Sequence, residues 1–175
     1  MGNWFIFYVK TGSEQTACNL LNKFFSKEDC VAFIPQVKMI IKRSKVISNY
    51  LRPMFPGYVF MDSSLNEKLF ASLAIKYVRY SECLYKLLGS DDINCMKLSD
   101  DEKKFLLGFL NEEYVTEDSK GFIVGDKVFI SSGPLQGRES MIKKINRHKR
   151  RAEIELMFFG NIRRISVALE VVSKV

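Results

Sequence analysis

Histidine is almost absent from this 175-residue chain; His148 stands alone. The four cysteines (Cys18, Cys30, Cys83 and Cys95) show no C-x-x-C spacing, so no metal-ligand set emerges. Isolated cysteines in apolar settings are expected as small buried hydrophobes. There is also no phosphate loop, no pair of carboxylates around a cleft motif and no Cys-His arrangement for nucleophilic catalysis. These absences argue against an enzyme and against a cofactor, and His148 reads as a loop residue rather than a base. A small RNA-modifying enzyme, the enzymatic alternative, finds no support in them. Long apolar runs are missing too, and the first residues lack a secretory signal pattern. The expected setting is cytoplasmic, with no membrane partner.

What is present suits a packed core: 47% of residues are apolar and 13% aromatic, with 14 Phe. The length allows one ordinary domain or two small ones. Charge divides them unevenly. Residues 1–119 hold 15 Lys+Arg and 15 Asp+Glu, whereas residues 120–175 hold 12 against 5 and carry the whole +7. A basic excess confined to one part predicts that this part meets a polyanion.

Trp4 to Val9 is apolar and aromatic throughout, as in a strand inside a sheet. Thr11-Gly12-Ser13-Glu14, Ser64-Leu65-Asn66-Glu67 and Ser99-Asp100-Asp101-Glu102 each match a capping box, and apolar residues follow each at helical spacing. Between the first two helices, Val31 to Ile41 has strand spacing, with a basic tip at Lys42-Arg43-Ser44-Lys45 and a return through Val46 and Ile47. Val78, Tyr80, Cys83 and Leu84 predict another strand. Residues 111–121, with Glu112, Glu113, Glu117 and Asp118, predict a solvated acidic linker. Beyond it, short strands are expected at 127–131, 139–145, 152–158, 162–167 and 169–172, joined by Ser132-Gly133-Pro134, Asn146 to Arg151 and Phe159-Gly160-Asn161. Dense short strands separated by turns predict a small barrel.

One stretch organises the first part: Pro53-Met54-Phe55-Pro56-Gly57-Tyr58-Val59-Phe60-Met61. Proline fixes its own φ and drives the preceding residue extended, glycine permits a close approach, and a strand buried on both faces follows. This corner resembles the NusG family of transcription elongation factors. Trp4-Phe5, Thr11-Gly12 and Leu98-Ser99-Asp100-Asp101-Glu102 fit the same family in order. So do Gly125-Asp126-Lys127-Val128, Ser132-Gly133-Pro134 and Phe159-Gly160 of its KOW barrel. The resemblance implies an α+β chain. Residues 1–110 would be an α/β sandwich domain that grips the clamp helices of RNA polymerase, and residues 122–175 a small all-β barrel that recruits other partners. It further implies that Phe55 and Tyr58, with Trp4 and Phe7, belong to the polymerase-binding surface. A monomer is expected.

The departures narrow the expectation. Arg138 and Ser140 replace a Phe and a Gly usual in general members, on the barrel surface used for a ribosomal protein and for Rho, which puts those partners in doubt. Thr16 and Leu20 occupy the first-helix places where the paralogue RfaH reads DNA, so non-template DNA stands only as a secondary candidate. A basic barrel resembles the specialised LoaP group of antiterminators. Lys143, Lys144, Arg147, His148, Lys149, Arg150 and Arg151, with Arg163, Arg164 and Arg138, are the candidate contacts to a nascent RNA hairpin. The competing readings are a general elongation factor and a ribosome-bound RNA-binding protein.

Overall fold

A computed structural model describes residues 2–43, 46–90 and 96–174. The hairpin tip Ser44-Lys45 and Cys95 lie outside the described residues. The chain divides into two compact units: residues 1–35 with 55–103, and residues 36–54 with 104–175.

In the first unit, β1 (Asn3–Val9) lies inside a four-stranded antiparallel sheet with β2 (Cys30–Phe33), β5 (Tyr58–Ser63) and β6 (Leu84–Leu87), in the order β2-β5-β1-β6. Strand alternation sends Phe5, Phe7, Val59 and Met61 into one core with Ala17, Cys18 and Leu21 of α1 (Glu14–Phe24) and Phe70, Ala71 and Ala74 of α2 (Glu67–Arg79). Phe5 stacks on Phe70 with ring centroids 3.8 Å apart. On the opposite face, Trp4 meets Phe33 and Phe60 edge-on at 5.0 and 5.9 Å, and its indole N–H donates to Asp62 Oδ2. Trp4 to Phe7 are thus buried on both faces of β1, which explains the apolar run there.

The second unit holds β3 (Gln36–Arg43), β4 (Val46–Pro53) and β7 (Val115–Thr116) in a three-stranded sheet, order β4-β3-β7. It also holds β8 (Ser119–Val124), β9 (Lys127–Ser132), β10 (Ile142–Asn146), β11 (Arg151–Phe158) and β12 (Asn161–Lys174), in a five-stranded sheet of order β10-β11-β12-β8-β9. A 3-10 turn, Glu139–Met141, leads into β10, and Glu139 Oε1 accepts from Ile130 N of β9 at 3.2 Å. Ala152, Ile154, Leu156 and Phe158 alternate inward along β11.

The residues between the expected domains are themselves structured. Stretch 111–121, expected to be a solvated linker, contains β7 and the start of β8, and Val115, Thr116, Ser119 and Gly121 are buried. Lys38 of β3 reaches Glu117 at 2.7 Å and Asp118 at 3.4 Å, a long-range pairing that binds the acidic stretch down. The hydrogen bond from Glu117 raises the Lys38 pKa above its ordinary value. The expected break between residues 167 and 169 is also absent. β12 runs on, because Ala168 pairs with Arg151 on one side and Leu169 with Ser119 on the other.

The helix starts divide three ways. At α3 (Asp100–Leu107) the capping box forms: Ser99 Oγ accepts from Glu102 N, and Ser99 N donates to Glu102 Oε2, both at 3.3 Å. At α2 the cap is Asn66, whose Oδ1 accepts from Leu69 N, while Ser64 turns to Asp29. α2 also runs on to Arg79, so Val78 is helical rather than the start of a strand. At α1 the Ser13 side chain makes no cap. The 6%-exposed Glu14 carboxylate instead accepts from Gly12 N at 2.9 Å and from Gly57 N at 2.8 Å. Gly57 sits at φ 83°, where a Cβ would also press on Thr11 Oγ1 at 3.1 Å. Only glycine fits both demands.

Glu14→Ala strands the buried Gly57 amide and leaves the exposed Gly12 amide to water. It is expected to destabilise the protein by about 1–3 kcal/mol, the cost of one buried orphan donor. Glu14→Gln, which keeps one acceptor oxygen, should lose about half as much. Urea midpoints at constant m-value check this.

Candidate functional site

Two surfaces carry the residues singled out in the sequence. The first surrounds the Phe55 to Tyr58 turn, which Tyr58 N closes by donating to Phe55 O at 3.2 Å. Phe55 is 5% exposed and lies 5.8 Å from the Phe60 ring, so it is a support. Trp4 and Phe7 are buried, and by alternation they lie on opposite faces of β1. Tyr58 is half-buried. Tyr58 lies 5.6 Å from Tyr8, its register partner, and Tyr8 lies 5.4 Å from Tyr85. Tyr8 and Tyr85 are 37% and 49% exposed, so the accessible aromatic surface here is a tyrosine trio. Two of its members were not identified from sequence. Tyr8 looked like one more apolar strand residue, and nothing near Tyr85 indicated that β6 would lie beside β1.

The second surface is the β10–β11 hairpin. Asn146 and Arg151 pair at its mouth, leaving a four-residue loop, Arg147 to Arg150. Asn146 Oδ1 accepts from Lys149 N at 2.9 Å, and Arg147 O accepts from Arg150 N at 3.1 Å. Arg150 takes φ 48°, the left-handed position that lets so short a loop close. Leu169 N of β12 donates to Arg150 O at 3.0 Å, and the side chains of Arg147, His148 and Lys149 face solvent. Ile145, Asn146, Arg147, His148 and Arg150 line a shallow concavity with Glu170 and Val171 of β12.

The candidate cations separate into groups. Arg150 is paired with Glu170 at 3.1 Å. Arg164 and Lys143 share Glu155, at 2.8 and 3.7 Å, and the Arg164 hydrogen bond holds the Glu155 carboxyl below the usual carboxylate range. Glu155 lies four residues along β11 from Arg151, roughly 13 Å at about 3.3 Å per residue. Arg163 and Arg164 therefore extend the basic surface along the strands and do not join the loop. Arg138 stands apart: its guanidinium lies over the Phe105 and Phe109 rings at 5.8 and 5.5 Å and donates to Pro134 O. That leaves Lys144, Arg147 and Lys149 as cations whose side chains form no ion pair or hydrogen bond among the described residues.

Burial pushes the Cys18 thiol pKa up to about 11 and raises that of Cys30. Among the described residues no three His, Cys, Asp or Glu side chains are grouped to hold a metal ion. No helix among them is long and apolar enough to cross a membrane.

Compared with known protein families, residues 2–107 match NusG, described as transcription termination factor nusG.

If the hairpin acts as an exposed cationic surface, its strength should follow the local carboxylates. Glu155→Gln releases Lys143 and Arg164 and is expected to raise the salt needed to elute the protein from heparin. Arg147→Ala with Lys149→Ala should lower it. Equal elution of all three proteins would show that these charges do not act together.

Proposed function

Because this chain belongs to the NusG family, whose members are non-enzymatic transcription elongation and termination factors, we propose that it is a processive antiterminator that holds RNA polymerase and a nascent RNA hairpin together. Residues 1–110 act as the polymerase-binding domain, docking on the clamp helices. Residues 122–175 act as a KOW-type barrel whose basic hairpin takes the RNA, as in the LoaP group. The protein works as a monomer and needs no cofactor.

The observation that carries the reading is the β10–β11 loop. Its turn is held by the Asn146 and Arg147 bonds and by Leu169 N of β12 donating to Arg150 O, and Arg147 and Lys149, with Lys144 on the adjoining strand, are displayed with no counter-ion among the described residues. A loop built this way suits phosphates, which need reach and charge rather than burial. Arginine adds stacking on unpaired bases, which supplies preference for a hairpin loop over a stem. On the polymerase side the tyrosine trio supports the docking assignment, since exposed aromatics make good anchors and the adjoining turn is fixed by the buried Phe55 ring against Phe60. Tethering at both points would keep the factor on polymerase as later terminators are read.

Two measurements test this. The full-length protein should bind a hairpin from its own leader transcript at physiological salt more tightly than an unrelated hairpin. Its log–log salt slope should be about −0.7 to −0.9 per phosphate neutralised. Equal, weak binding to both would return the protein to the general elongation-factor reading. For the other partner, Tyr58→Ala should weaken polymerase binding by roughly 2 kcal/mol with the melting temperature retained. A folded variant that binds at wild-type affinity would remove the tyrosines from the interface.

A further inference from the structure

Among the described residues, three buried side-chain polar atoms lack any hydrogen-bond partner: Arg52 Nε, Arg151 Nε and Thr116 Oγ1. All three belong to the second unit, where β3 lies against β12. Arg52, on β4, donates from Nη2 to the Ser166 carbonyl of β12 at 3.0 Å. Arg151, at the foot of the basic loop, donates from Nη2 to the Tyr50 hydroxyl at 3.1 Å. Thr116 and Arg52 are the register partners of Val37 on its two sides. The fold therefore draws two guanidinium groups towards one place and leaves the inner N–H of each unused.

A packing seam built only for stability would not look like this. Burying a guanidinium is costly unless a carboxylate and full hydrogen bonding compensate. Here the acids are engaged elsewhere: Glu117 and Asp118 with Lys38, Glu155 with Arg164 and Lys143, and Glu170 with Arg150. Glu153, two residues beyond Arg151 on the same face of β11, forms no ion pair with either arginine. Burial lowers the Arg52 pKa, Tyr50 opposes that shift and the nearby Arg151 adds to it. Arg52 and Arg151 are each only half-buried and keep Nη–H groups beyond those given to Ser166 and Tyr50, which can be donated to the oxygens of one tetrahedral anion.

We propose that Arg52 and Arg151, with the Tyr50 hydroxyl, bind a phosphodiester of the RNA backbone. The RNA path then continues from the β10–β11 loop onto β4. This rests on the RNA-binding reading above and deepens it: the loop supplies mobile surface cations, and the seam supplies one fixed, partly dry phosphate position that sets register. Arg52 lies outside the basic cluster and about a hundred residues before it in sequence, so the sequence pattern did not mark it.

The test compares full-length wild type with Arg52→Gln for binding to a leader RNA hairpin across a KCl series. Charge-assisted contacts contribute roughly tenfold each, so about tenfold weaker binding is expected at physiological salt. The log–log slope should be shallower by about 0.7–0.9, one phosphate's worth. An unchanged slope would overturn the proposal and leave Arg52 as a brace for the β3–β4 hairpin. Should Arg52→Gln not fold, Arg52→Lys takes its place, keeping the charge and losing the fork. Severalfold weaker binding at unchanged slope then supports the site, and wild-type affinity overturns it. Should the wild type bind no hairpin at all, the antitermination reading falls, and inorganic phosphate decides the seam separately. A melting temperature raised by phosphate at matched ionic strength in wild type but not in the Arg52 variant keeps the anion site, and equal shifts remove it.

Discussion

The first unit depends on one carboxylate. Glu14 enters α1 at its first residue, where a negative charge is favoured by the helix N-terminus, and spends its two oxygens on Gly12 N and Gly57 N. Those amides belong to the turn after β1 and the turn before β5, the two central strands of the sheet. Val9 N donates to Gly57 O at 2.8 Å, so the two turns also hold each other directly. Because the carboxylate fixes both ends, the register from Asn3↔Ser63 to Tyr8↔Tyr58 follows, and with it the side on which each aromatic lies. A slip of one residue would turn Phe5 and Phe7 out of the helix-covered core and put Trp4 and Tyr8 into it. The exposed tyrosine trio is therefore a consequence of the corner.

Much of this was legible because local chemistry and tertiary structure agree. The apolar run at β1, the alternation along β11, the Ser99 capping box and the Phe159-Gly160 turn each state locally what the fold uses. Misreadings occur where a distant residue decides. Ser64 and Asn66 are both good caps, and only the proximity of Asp29 to Ser64 settles which one serves. Tyr77-Val78-Arg79-Tyr80 has the composition of a strand, but Tyr77 stacks on Phe24 at 4.4 Å and donates its hydroxyl to Phe24 O, which keeps it helical. Glu117 and Asp118 read as solvated until Lys38 arrives from β3. Val167-Ala168-Leu169 breaks strand alternation because β12 is flanked by β11 and β8 and buried there.

The candidate sites repeat the pattern. A run of cations is visible in any sequence, but which of them are available depends on acids brought alongside by the neighbouring strands. Glu155 and Glu170 take up Arg164, Lys143 and Arg150, and two phenyl rings take up Arg138. Composition overstates the patch along β11 and β12 and understates the loop, where Arg147 and Lys149 form no ion pair among the described residues. The aromatic corner errs in the other direction. Phe55 is conspicuous in sequence but serves as support, while the surface belongs to Tyr58, Tyr8 and Tyr85.

Buried polar satisfaction separates the two units more sharply than charge does. In the first, Glu14 meets its two amides, Trp4 meets Asp62, and Asn22 meets both backbone groups of Ala32. In the second, two arginine N–H groups and a threonine hydroxyl are buried and unmet. Among the described residues the unmet atoms all fall in the second unit, although Glu153 stands two residues from Arg151 on the same face of β11. The opening sits at the foot of the β10–β11 loop, where Arg147 and Lys149 have no counter-ion among the described residues. Unmet donors beneath such a surface are what the proposed RNA backbone, anionic and oxygen-rich, would meet by touching both.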